Sequence, residues 1–81
     1  MLKAIEYRAF HTKEQRDNYN ANPHSVWFAP DKAVKLEAYT GTTNYWPSSH
    51  DVTTIYFGDN RSIKVHGTPE LWAELIDSAT R

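Results

Sequence analysis

The sequence contains no cysteine, so disulfides, thiolate zinc sites and cysteine nucleophiles are excluded. Its three glycines, Gly41, Gly58 and Gly67, lie too far apart to build a phosphate-cradling loop. No apolar run approaches the roughly 18 residues of a membrane span, and Met1 to Glu6 does not have the form of a signal peptide. Neither charge sign dominates: nine Lys and Arg meet ten Asp and Glu, a net charge of −1. A sequence-independent nucleic-acid binder needs a clear basic excess and a DNA mimic a large acidic one, so both are disfavoured. The absences describe a soluble, intracellular chain, expected in the cytoplasm and away from membranes.

What is present is a short chain rich in rings. Eighty-one residues make one domain, residues 1–81, and aromatics are 14% of it. A chain of this size buries only about 60% of the surface it exposes unfolded, so large side chains must supply the core.

The C-terminal half is the most readable part. Thr53, Ile55 and Phe57 alternate with Val52, Thr54 and Tyr56, the period of a strand. Gly58, Asp59 and Asn60 follow, residues that tolerate positive φ, and then Ile63 and Val65 alternate with Ser62, Lys64 and His66. This predicts a β-hairpin. Thr68 suits a helix N-cap and Pro69 the first helical position, while Glu70 meets the positive end of the helix dipole. Leu71, Trp72, Leu75, Ile76 and Ala79 then recur at helical spacing, opposite Glu70, Glu74 and Asp77. That predicts an amphipathic helix of about ten residues lying on the hairpin's sheet.

Upstream, Val34, Leu36 and Ala38 alternate with Lys35, Glu37 and Tyr39, a further strand. Val26, Trp27 and Phe28 read as a short one, joined to it by a turn at Pro30, Asp31 and Lys32. Leu2 to Phe10 reads as another strand, with Ile5, Tyr7 and Ala9 on one face. Thr12 and Gln15 have capping-box spacing and open a short polar surface helix that ends at Asn22 and Pro23. Residues 40–50 form a connection of about eleven residues, longer than the two to five of an ordinary hairpin link.

From Trp27 onward the order resembles a known pattern. Phe28-Ala29-Pro30-Asp31, Ile55 through Asn60, Ile63-Lys64-Val65 and Thr68 through Leu71 are similar to the small flagellar and swarming motility protein family. They are also similar to short phage-encoded proteins of like layout. The resemblance runs over residues 27–76. It implies an α+β fold and a regulator without catalytic residues, such as a phage-encoded inhibitor or modulator of a host protein. The long 40–50 connection and the N-terminal strand and helix depart from that pattern.

Several constellations invite chemistry and fail on spacing. Ser48, Ser49, His50 and Asp51 hold the residue types of a hydrolase triad, but side chains of one short segment diverge, and no Gly-x-Ser-x-Gly accompanies them. His11, His24, His50 and His66 show no metal-ligand spacing. Asn60, Arg61 and Ser62 match a glycosylation sequon inside a tight hairpin, where turn chemistry explains them. The expectation is therefore a chain that is not an enzyme, with no catalytic residue, metal or cofactor.

Two surfaces suit binding. Tyr45 and Trp46 stand in the polar 40–50 connection, flanked by Tyr39 and His50. Trp and Tyr anchor interfaces because they bury large area with few torsions to freeze. Trp46 either plugs the core or anchors a partner. These residues are the expected contacts with a protein partner of unstated identity, and an uncovered edge strand offers homodimer pairing as well. The other surface is the sheet face opposite the helix, where Lys35, Tyr39, Tyr56, Lys64 and His66 fall together and could stack single-stranded bases. Glu37 on that face and the net acidity make nucleic acid the second choice.

The fold expected is α+β: an antiparallel sheet of four or five strands, with the C-terminal amphipathic helix packed on one face and a short polar helix after the first strand. Leu71, Trp72, Leu75 and Ile76 should meet Val34, Leu36, Ile55, Phe57, Ile63 and Val65 in the core. The function expected is that of a stand-alone binding protein acting by steric occupation of a partner.

Overall fold

The structure, a computed structural model, describes residues 1–39 and 52–81. The element order is β1 (Leu2–Ile5), α1 (Lys13–Ala21), β2 (Ser25–Phe28), a 3-10 turn at Pro30–Lys32, β3 (Ala33–Ala38), β4 (Val52–Phe57), β5 (Ser62–His66) and α2 (Pro69–Ala79). The fold is α+β with antiparallel pairing throughout. In place of one sheet of four or five strands there are two, β1-β2 and β3-β4-β5. An isolated antiparallel bridge between Glu6 and Val65, with the Tyr7 N–H donating to the Lys64 carbonyl at 2.8 Å, ties the smaller sheet to β5. The strand expected over Leu2 to Phe10 pairs with β2 only as far as Ile5 because the chain then crosses to β5.

The local signals read from the sequence build these elements. Thr68 accepts the Leu71 N–H at 3.1 Å as the N-cap of α2. The Thr12–Gln15 cap forms as a variant of the capping box: Gln15 N–H donates to the Thr12 hydroxyl at 3.1 Å, while the Gln15 amide oxygen accepts from the N–H of His11, one residue before the N-cap, at 2.8 Å. At the β4–β5 turn Asn60 takes φ 68°, a left-handed value its short polar side chain tolerates.

The core lies between the two sheets and α2. Ile55 and Val65 are fully buried at its centre, with Ala4, Phe28 and Trp72 around them. Phe28 touches both Phe57 and Trp72, ring centroids 5.8 Å apart in each case. Leu36, Phe57, Ile63 and Ile76 pack partly buried against this cluster.

Three residues expected in the core are outside it. Val34 is 67% exposed, because the β3–β4 register slips between Ala33 and Lys35 and leaves Val34 as an unpaired bulge residue. Leu71 and Leu75 are 46% and 39% exposed, since Phe28 and Ala4 of the smaller sheet fill the space beside Trp72. The smaller sheet is thus a core layer, and the buried stripe of α2 narrows to Trp72 and Ile76.

Candidate functional site

Val26, Trp27 and Phe28 are consecutive apolar residues in a strand, where neighbours point to opposite faces, so they cannot all be buried. Phe28 is buried and Val26 packs against the core, while Trp27 turns outward and is 60% exposed. Lys3, its cross-strand partner in β1, places its ammonium 5.8 Å from the indole centroid. The backbone around Trp27 is also open. Glu6 N–H bonds the His24 carbonyl, so the hydrogen-bonded pairs of this ladder fall at every second residue, and the N–H and C=O of Ser25 and Trp27 point away from β1. No other described strand pairs with that edge of β2.

Beside this edge lies an open groove of about 870 Å³. Trp27, Val34 and Met1 stand around it, and Phe28, Phe57 and Ile63 lie deeper. Its polar margin carries Asp31, Lys32, Asp59 and Arg61. Asp59 and Arg61 form an ion pair at 2.7 Å, so the margin holds both charge signs in equal number. A large exposed Trp at an apolar groove with a polar rim is the anatomy of an interface anchor.

A second site forms on the face of β3-β4-β5 turned away from α2. The register sets three rows across the strands: Lys35, Tyr56 and Ser62; then Glu37, Thr54 and Lys64; then Tyr39, Val52 and His66. Lys35, Tyr39, Tyr56, Lys64 and His66 therefore share one face, as the alternation predicts. Lys35 Nζ lies 5.2 Å from the Tyr56 ring centroid and Lys64 Nζ 5.6 Å from that of Tyr39. Tyr7, which sequence reasoning left out, joins them with its ring 5.1 Å from Tyr39. Burial, reinforced by the adjacent Tyr39 phenol, raises the pKa of the Tyr7 hydroxyl. His66 is half-buried, and burial lowers its pKa below the ordinary 6.5. Its carbonyl accepts the Trp72 indole N–H at 2.7 Å, so its backbone serves the core.

A third cluster is a tether. Glu6 pairs with Arg8 at 3.1 Å and with His24 at 3.4 Å, and the Tyr19 hydroxyl donates to the Glu6 carbonyl. With the Phe10 ring 5.4 Å from that of Tyr19, these contacts fasten the otherwise polar α1 to the end of β1.

Tyr45, Trp46 and His50 lie outside the described residues; of the four expected protein contacts only Tyr39 is placed, on the sheet face. Among the described residues no three His, Asp or Glu side chains are grouped to hold a metal ion, and no helix is long and apolar enough to cross a membrane. Trp27 was legible in principle, since three apolar residues in a row in a two-period strand leave one outside. Val34 was not, because a bulge has no sequence signature here. No protein-family model, no curated protein and no solved structure matches this chain.

Proposed function

We propose that the chain is a non-enzymatic binding protein that modulates another protein by occupying an extended segment of it. The segment adds along the free edge of β2, and one of its apolar side chains seats between Trp27 and Val34. The observation that carries this reading is the coincidence at Trp27 of an exposed indole, an outward-facing backbone N–H and C=O, and an apolar groove. Strand addition draws affinity from main-chain hydrogen bonds and specificity from pockets for alternate side chains. Both elements are present here, and the balanced charges of the margin suit a segment of low net charge. The mode of action is steric: a segment held in the groove is withheld from its other contacts.

The test is selection of peptides from a displayed random library against the immobilised protein, followed by titration of the selected peptide. We expect peptides centred on a large apolar residue. Their affinity should fall about tenfold or more in Trp27→Ser and clearly in Val34→Ser, with thermal melts of both variants matching the parent. Failure to enrich any peptide, or unchanged affinity in Trp27→Ser, removes the groove as the site.

A further inference from the structure

The geometry points to a second binding surface, beyond the groove: the tyrosine and lysine face of β3-β4-β5 as a platform for single-stranded nucleic acid. Each of its two sheet tyrosines has its own lysine, Lys35 at Tyr56 and Lys64 at Tyr39. Each ammonium lies over its ring, so a base stacks on the tyrosine as the flexible lysine swings from the ring face to the attached phosphate, one such unit for each ring. The two units sit in the outer rows of the face, four residues apart along β4, or about 13 Å. That span is about four nucleotides at the duplex rise of about 3.4 Å per residue of strand, and fewer when the strand is stretched. The row between them has the small, buried Thr54 at its centre, so no bulky β4 side chain stands between the two outer rows.

The charge of the face differs from that of the chain. Lys35 and Lys64 meet one carboxylate, Glu37. Glu70 and Glu74 belong to α2, which packs on the other side of the same sheet through Trp72 and Ile76. Among its described residues the face thus carries two lysines against one carboxylate, where the whole chain has a net charge of −1. Glu37 has two effects. It holds Lys35 Nζ and the Tyr56 hydroxyl, each at 3.3 Å, which fixes both in place. It also competes with phosphate for Lys35. Binding here is consequently dominated by stacking and depends only weakly on salt, unlike the electrostatic binding that the composition disfavours.

The experiment is fluorescence anisotropy with labelled oligo-dT and oligo-U of about 8 nucleotides, and a duplex of the same length, titrated across salt concentrations. Both single strands should bind saturably and more tightly than the duplex. The slope of log affinity against log salt should be about −1.4, from roughly 0.7 per phosphate neutralised by the two lysines. Lys64→Gln should halve that slope. Tyr56→Ala should weaken binding by about fivefold or more, while Tyr56→Phe, which keeps the ring, should retain it. Glu37→Gln should tighten binding, and Trp27→Ser should leave it unchanged. The proposal is overturned by an absence of saturable binding up to the protein's solubility limit, by equal affinity for the duplex, or by a folded Tyr56→Ala variant that binds as the parent does. The first of these results would give the face to a protein contact or to none.

Discussion

Between the end of β5 at His66 and the start of α2 at Pro69 there are only Gly67 and the N-cap Thr68; at Gly67 the chain makes its turn. This glycine holds φ at +116°, a region that side-chain-bearing residues rarely enter, and its carbonyl accepts the Thr53 hydroxyl at 2.8 Å. A Cβ at this position would lie 2.6 Å from the Trp72 indole nitrogen, the same nitrogen that donates to the His66 carbonyl. Replacement by alanine thus adds backbone strain and pushes the largest core ring off its hydrogen bond. We expect Gly67→Ala to destabilise by about 1–3 kcal/mol from the backbone alone, with a further loss from the displaced Trp72. Denaturant melts check this; a change within about 0.5 kcal/mol, the usual range of a neutral surface substitution, would mean that the β5–α2 junction relaxes freely. Thr53 shows the companion rule: a fully buried hydroxyl in a central strand is tolerated because it has that carbonyl as a partner.

At the scale of elements, the sequence predicts α2 with its start, cap and length, but a wider buried face than the structure has. Helical spacing assigns Leu71, Trp72, Leu75 and Ile76 to one side but cannot say how much of that side another element claims. Here Phe28 and Ala4 claim part of it. We therefore expect Trp72→Ala to cost about 3–5 kcal/mol and Leu75→Ala only about 1 kcal/mol, measured in parallel urea melts. Equal costs would place Leu75 in the core after all. The same distinction governs what the sequence made legible. The β4–β5 hairpin, β3, the Thr12 and Thr68 caps and the sharing of one face by Lys35, Tyr56, Lys64 and His66 all follow from alternation and short-range chemistry. The split into two sheets does not. It depends on Glu6 leaving β2's partner strand to bridge Val65, a contact between residues distant in sequence; the bulge at Val34, inside the β3–β4 ladder, is likewise invisible to alternation. The groove beside Trp27 is a product of those same two features, which is why local pattern did not reveal it.

For the molecule as a whole, the shifted groups set the pH window of stability. As pH falls from neutral the first shifted group met is His66, whose burial on β5 disfavours its charged form and lowers its pKa below 6.5. The unfolded chain takes up this proton near 6.5, and the folded chain only at a lower pH. Between those values the unfolded state binds more protons, so stability is complete above about 6.5 and declines as pH falls through the folded pKa. On the alkaline side the sign reverses. Tyr7 and Tyr19 both have pKa values raised above 10.0, each chiefly by burial; Tyr39 adds to the first, and at Tyr19 burial outweighs its hydrogen bond to His24. Their protonated forms favour the fold below pH 10, and that contribution is lost as pH rises through the folded values. Urea midpoints measured across pH should therefore form a plateau from about neutral to about pH 10, with a fall on each side. His66→Gln, which cannot titrate, should flatten the decline just below pH 6.5 and leave the alkaline limb as it was. Tyr7→Phe and Tyr19→Phe should do the converse, provided each variant folds at neutral pH. An acid limb that survives unchanged in a folded His66→Gln variant would show that His66 is not the group whose burial opposes protonation.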